Sequence, residues 1–146
     1  METDRATILV RISLGVNIAV LIVVCTALIA FSDAEPVTYG WGPATAARGI
    51  LLSVYFSILA VSILLLGLYV YRSADRAAID NMIAALLLTQ ILYKITTPIT
   101  AGPANPVAIS NLGISVLHSI TLYLLWKRYK SSRAPRSGSR SSRQTG

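Results

Sequence analysis

Apolar residues in this chain gather into long runs, broken at intervals by short polar segments, and the runs have membrane-crossing length. Ile12 to Phe31 is twenty residues without a formal charge, Ile50 to Tyr71 is twenty-two, and Val107 to Trp126 is twenty. At 1.5 Å per residue, a helix of each would span a hydrocarbon core about 30 Å thick. A further stretch, Ala77 to Thr97, contains Asp80, Asn81, Gln90 and Lys94, but its centre from Met82 to Tyr93 is almost wholly apolar. The pattern predicts four transmembrane helices, about 8–31, 49–71, 77–97 and 107–126, forming one all-α domain over 1–126. Short connections make an antiparallel four-helix bundle the economical arrangement.

The connections read as follows. Residues 32–47 contain Pro36, Gly40, Gly42 and Pro43 and are expected to be turn-rich rather than regular. Residues 98–106 hold three prolines and no charge, so the third helix is expected to stop before Pro98. Asp75 stands where a third helix would begin, and an acid there complements the helix dipole. A cleaved signal peptide competes for the first run, with Arg5 and Arg11 before it and Ser32-Asp33-Ala34 after it. Twenty apolar residues exceed the usual signal core of about 7 to 15, which favours an uncleaved anchor.

Charge gives the bundle a direction. The net charge of +7 resides in the last twenty residues, since Met1 to Trp126 carries six basic and six acidic side chains while Lys127 to Gly146 carries seven basic and none acidic. Around the predicted helix ends, one face gathers Arg5, Arg11, Arg72, Arg76 and the seven of the tail, and the other only Arg48 and Lys94. The positive-inside rule then places both termini in the cytoplasm of what is expected to be a prokaryotic cell membrane. Residues 127–146, rich in Ser and Arg, are expected to form a disordered polybasic cytoplasmic tail. Lys127, Arg128 and Lys130 should contact lipid headgroups of an anionic inner leaflet, at roughly 1 kcal/mol each. The distal Arg133, Arg136, Arg140 and Arg143 alternate with serines whose phosphorylation would weaken that attraction. Nucleic-acid binding is disfavoured, because the tail lacks the interleaved aromatics of a stacking platform. Tyr69, Tyr71, Tyr123, Trp126 and Tyr129 fall at the inner interface and Tyr39, Trp41 and Tyr93 towards the outer one, as anchoring rings do.

Candidate chemistry lies in the polar residues of the spans. Asn111, Ser115, His118 and Ser119 recur at helical spacing on the fourth helix, Gln90, Lys94 and Thr97 on the third, and Ser13 and Asn17 on the first. Gly49, Ser53 and Ser57 form a ridge of small residues on the second, which would admit a neighbouring backbone. Counted from the span midpoints, Gln90 and His118 lie within about 4 Å of the midplane and Lys94 and Asn111 roughly 8 to 10 Å outside it. Matched depths predict two direct pairs, Gln90 with His118 and Lys94 with Asn111. With Arg48 and Tyr55 on the second helix, these residues could line an outward-opening polar pocket. The competing reading is inter-helix glue, worth about 0.6 to 2 kcal/mol per contact, with Lys94 snorkelling to the headgroups.

Absences narrow the field further. No acid lies between Glu35 and Asp75 or after Asp80, which argues against a proton-coupled exporter that relies on a deep carboxylate. There is one histidine and one cysteine, Cys25, so a bis-histidyl haem within one chain and an internal disulfide are both excluded. No catalytic motif, metal-ligand set or phosphate-binding loop appears, and neither an enzyme activity nor a cofactor is expected.

Arg48-Gly49 opening the second helix, Gln90 to Lys94 closing the third, and Ala101-Gly102-Pro103 before the fourth resemble a family of small uncharacterised bacterial four-helix integral membrane proteins. The resemblance covers roughly residues 32–126 and implies the four-helix fold but no activity. In that family an arginine usually stands where this chain has Lys94, and the fourth helix carries an acid where this chain has Asn111 and His118. The expected role is a structural or accessory subunit, a homo-oligomer or part of a larger membrane complex. The alternatives are a carrier or binding protein for a small apolar or amphipathic molecule, and a redox protein in which His118 contacts a quinone.

Overall fold

The computed structural model describes residues 2–71 and 75–133. It consists of five helices: α1 (Glu2–Ala30), α2 (Glu35–Trp41), α3 (Ala46–Tyr71), α4 (Arg76–Ala101) and α5 (Pro106–Arg133), with no strand among the described residues. All but α2 are long and apolar enough to cross a membrane, each over 26 residues or about 39 Å. They pack as a closed ring in the order α1, α3, α4, α5. The α4–α5 hairpin is the most extensive contact and the α3–α4 seam the thinnest.

The distribution of polarity is that of a protein solvated by lipid. Ile8, Ile22, Val23, Phe56, Leu64, Leu92, Ile109 and Val116 are exposed, while Ser13, Asn17, Ser62, Gln90, Lys94, His118 and Thr121 are buried. Backbone hydrogen bonds within each helix satisfy the main chain, and the polar side chains must find partners inside. Buried positions follow steps of three or four residues, such as 10, 14, 17, 21, 25 and 28 on α1 and 79, 83, 87, 90 and 94 on α4. That is the narrow seam of helices packed nearly antiparallel.

Two apolar clusters fill the interior. Near the end where the chain termini lie, the terminal end, all four long helices contribute: Val10 and Leu14, Leu65 and Tyr69, Ile79, Ile83 and Leu87, and Leu125. Near the opposite end, the loop end, the cluster comes from α1, α2 and α3 alone, as Leu21, Cys25, Leu28, Val37, Tyr55 and Leu59.

Several boundaries differ from the sequence reading. The segment expected to be irregular contains α2, started by Pro36 and an acid, Glu35, in its first turn. Gly42 ends it at φ 78°, a left-handed conformation that glycine adopts without strain. Gly40 lets α2 approach α5, since a Cβ there would stand 3.1 Å from Val107. Asn105 ties the same contact, donating to the Gly40 carbonyl at 3.1 Å while accepting from the Val107 amide at 2.8 Å.

Pro98 does not end α4, which continues to Ala101. Proline removes one backbone donor, and hydroxyls supply hydrogen bonds around it: Thr96 and Thr97 donate to the Tyr93 carbonyl at 2.9 and 2.8 Å, and Thr100 to that of Thr97 at 3.2 Å. Asp75 does cap α4, accepting from the Ala77 amide at 2.9 Å. Helix α5 runs seven residues past its expected end at Trp126, so 127–133 are helical rather than part of a disordered tail. Lys130 lies 3.8 Å from the Trp126 ring centroid and Arg128 is drawn to Asp80, which holds this extra length. Arg72 and the tail from 134 onward, with Arg136, Arg140 and Arg143, lie outside the described residues.

Candidate functional site

The register of the α4–α5 hairpin sets the levels of its polar groups. Asn111 Nδ2 donates to Thr97 Oγ1 at 3.2 Å, and nearer the terminal end Arg128 pairs with Asp80. Between these anchors the antiparallel count brings Gln90 level with His118 and Leu87 level with Thr121. The expected pair of Lys94 with Asn111 does not form. Because α4 continues through Pro98, the turn is shorter than the sequence suggested, and Asn111 meets Thr97, three residues beyond Lys94. Gln90 and His118 share a level as expected, yet no hydrogen bond joins them: His118 Nδ1 is instead 2.6 Å from Ser13 Oγ on α1.

This leaves a set of buried, under-bonded groups at mid-depth. Gln90 and His118 are both fully buried. Among the described residues, Gln90 Nε2 and Oε1 and His118 Nε2 have no hydrogen-bond partner. Each such group costs about 1 to 3 kcal/mol when removed from water unpaired. Lys94, also buried, donates to the Tyr93 hydroxyl, with its Nζ 4.4 Å from that ring's centroid. It lies near enough to His118 for the two to interact electrostatically.

The other candidates divide between this set and the scaffold. Tyr55 is buried in the loop-end cluster, against which Tyr93 packs. Trp41 belongs to the same surroundings, its indole N–H beside Tyr55 but outside hydrogen-bond geometry. Arg48 is buried, but its Nη1 donates to the Gly42 carbonyl at 2.8 Å, so it fastens the α2–α3 turn. Asn111 is engaged by Thr97, whose own hydroxyl is held by Tyr93, and that chain is structural. On α1, Ser13 and Asn17 share a buried face as expected; Asn17 donates to Ser62 on α3 at 2.8 Å.

One expectation about faces fails. Ser119 is exposed, returning its hydroxyl to the Ser115 carbonyl at 2.8 Å, and Thr121 is buried in its stead, because the seam of α5 follows three- and four-residue steps. The Gly49, Ser53 and Ser57 ridge faces outward, with Ser53 and Ser57 bonded back to their own helix at 3.1 and 2.8 Å.

At the terminal end the structure assembles a cluster that sequence reasoning missed. Asp80 on α4 engages Arg128 on α5, and Arg76 Nε stands 3.9 Å from its other oxygen. The Arg76 guanidinium lies 3.7 Å over the buried Tyr69 ring and reaches Thr7 on α1 at 3.5 Å. All four long helices meet here. Arg128, expected at the headgroups with Lys127 and Lys130, is thus committed to an acid inside the bundle. The signal was available: Asp80 was the only acid within a predicted span, and a charge there needs a partner.

No family model, curated protein or solved structure matches this chain. Its class follows from the helices and their inverted polarity: it is a small multi-pass membrane protein with four candidate transmembrane helices in a bundle. Among the described residues no group of three or more His, Cys, Asp or Glu could hold a metal ion.

Proposed function

We propose that this protein binds a small amphipathic molecule within the loop-end half of its bundle, the polar head at Gln90, Lys94 and His118 and the apolar part along α1 and α3. The observation that carries the reading is the division of that interior. Helices α1 and α3 present Leu21, Cys25, Leu28 and Leu59 towards the loop end, while at the level of Ser13 α5 and α4 bring in His118 and Gln90, with Lys94 one turn on. The hydrogen-bonding capacity of the Gln90 amide and of His118 Nε2 is unspent. Inter-helix glue would spend it, as Asn17 and Ser62 do. A ligand with one wet end and one greasy end matches both walls.

Native mass spectrometry of the protein released from its membrane into detergent tests this. A stoichiometric adduct of lipid-like mass is expected, lost in His118→Phe and Gln90→Leu proteins that retain their helical content. A quinone at His118 is one member of this class and would be identified by its mass. Wild-type protein free of any adduct, with both variants merely less stable, would return these residues to a packing role.

A second reading, an accessory subunit that joins copies of itself or a larger complex, is favoured by the outward ridge at Gly49, Ser53 and Ser57. A Cβ at Gly49 would meet nothing within 4 Å, so the ridge is open to a neighbour. Crosslinking in the native membrane that traps a cysteine placed at Ser53 at the same position of a second copy would support it. For either reading we propose cytoplasmic termini, from the excess of Lys and Arg at the terminal end. A cysteine at Ala104 should then react with an impermeant reagent from outside, and labelling only after the membrane is broken would reverse the orientation.

A further inference from the structure

We infer that the head of the bound molecule is a carboxylate, and that the ligand is a long-chain monocarboxylic acid rather than a neutral amphiphile. The inference rests on the binding reading above and concerns the charge of what binds. It begins with the balance of charge around Lys94. Among the described side chains, Asp33, Glu35 and Asp75 are exposed at the helix ends, and the only acid within the bundle is Asp80. Asp80 stands fourteen residues from Lys94, about 21 Å along α4, and is engaged by Arg128 and Arg76. The buried Lys94 amine therefore has a tyrosine hydroxyl for a partner and no described carboxylate within reach.

The neighbouring groups add donors beside one unpaired acceptor, Gln90 Oε1. Ser13 has no hydrogen bond other than that to His118 among the described residues, unlike Ser53, Ser57 and Ser62, which donate to carbonyls on their own helices. With the Ser13 hydroxyl taken as the donor to Nδ1, the ring proton of a neutral imidazole sits on Nε2. That N–H is the atom without a partner. Gln90, level with it, contributes an unpaired Nε2, and Lys94 lies one turn away on the same face of α4. An imidazole N–H and an amide N–H at one level, with an ammonium one helical turn away, form a donor set suited to the two oxygens of a carboxylate. A quinone or an alcohol could use one or two of these donors but would leave the cation uncompensated. Towards the loop end from these donors, Leu21, Cys25, Leu28 and Leu59 suit a hydrocarbon chain. Entry from the bilayer would use the thin α3–α4 seam, where Tyr55 and Tyr93 stand.

The test compares ligands that differ only at the head. Purified full-length protein in nanodiscs of phosphatidylcholine is titrated with oleate and, separately, with oleyl alcohol and decylubiquinone, each competing against a fluorescent fatty acid. Wild type should bind oleate at least tenfold more tightly than the alcohol, a comparison that needs no variant. Lys94→Met should reduce oleate affinity tenfold or more and leave alcohol affinity within twofold, and Lys94→Arg should restore oleate binding. Equal affinity for the three probes, or binding of decylubiquinone alone, lost in His118→Phe, would overturn the carboxylate while leaving the binding reading intact. Partitioning of every probe no different from that into empty nanodiscs would overturn both.

Discussion

The two halves of this bundle solve the same packing problem with different materials. At the terminal end all four long helices meet through apolar side chains, and the charged residues there are paired: Asp80 with Arg128 and Arg76, Arg76 with the Tyr69 ring. At the loop end the apolar cluster belongs to α1, α2 and α3, and the wall from α4 and α5 is polar and incompletely bonded. One half is built to hold together. The other keeps polar groups in a place where lipid-soluble partners, rather than water, are at hand. Unsatisfied groups are costly in a low-dielectric interior. At the terminal end Tyr69 Oη and Asp80 Oδ1 also lack hydrogen-bond partners, but both residues lie against the Arg76 guanidinium, whereas neither amide atom of Gln90 has a partner.

The comparison breaks most sharply if stability does not follow it. Leu87→Ala removes a fully buried side chain from the terminal cluster and should cost about 3 kcal/mol, read as a fall in the midpoint of unfolding in mixed detergent. Asp80→Ala should cost about 2 kcal/mol by the same measurement, since it leaves two arginines facing a half-buried gap. Asp80→Ala combined with Arg128→Leu should recover part of that loss, because removing both partners leaves less charge stranded. At the loop end the sign reverses. Gln90→Leu deletes two unpaired buried atoms and should leave stability unchanged or raise it by about 1 kcal/mol, while abolishing ligand binding. A loss of 2 kcal/mol or more in that variant would mean that the Gln90 amide is satisfied in the membrane, and the contrast between halves would fall. Asn111→Ala sharpens the boundary between wall and scaffold. It should cost about 0.6 to 1 kcal/mol and leave binding within twofold, as expected of one inter-helix hydrogen bond.

The four spans were legible because a charge-free run of twenty residues has few other uses, and the polar faces were legible because three- and four-residue spacing has a direct geometric meaning. Ser13, Asn17, Gln90, Lys94, Asn111, Ser115 and His118 all lie inside as that spacing implied. What escaped was everything decided between helices. That α4 continues through Pro98, with the Thr96, Thr97 and Thr100 hydroxyls bonded to nearby carbonyls, shifted Asn111 from Lys94 to Thr97. Ser119 and Thr121 sit on either side of a seam edge whose position depends on how closely α1 and α4 approach α5. The Gly49 ridge is as good an inner face as an outer one by spacing alone, and the buried stripe of α3 runs instead through Arg48, Tyr55, Leu59, Ser62, Leu65 and Tyr69. Arg128 looked like a surface charge only while its helix was expected to end two residues before it.

The bond between Ser13 and His118 joins residues 105 positions apart and links the first helix to the last. At ordinary synthesis rates the histidine emerges roughly 5 to 20 s after the serine. Asn17 meets Ser62 when α3 arrives, but Ser13 has no side-chain partner until α5 is inserted, and Asp80 likewise waits for Arg128. Without α5 the other three spans would show Gln90, Lys94 and Asp80 to the bilayer on their uncompleted side. Insertion of α5 is the step that hides all three at once, which makes the last helix the one on which assembly of the whole bundle depends.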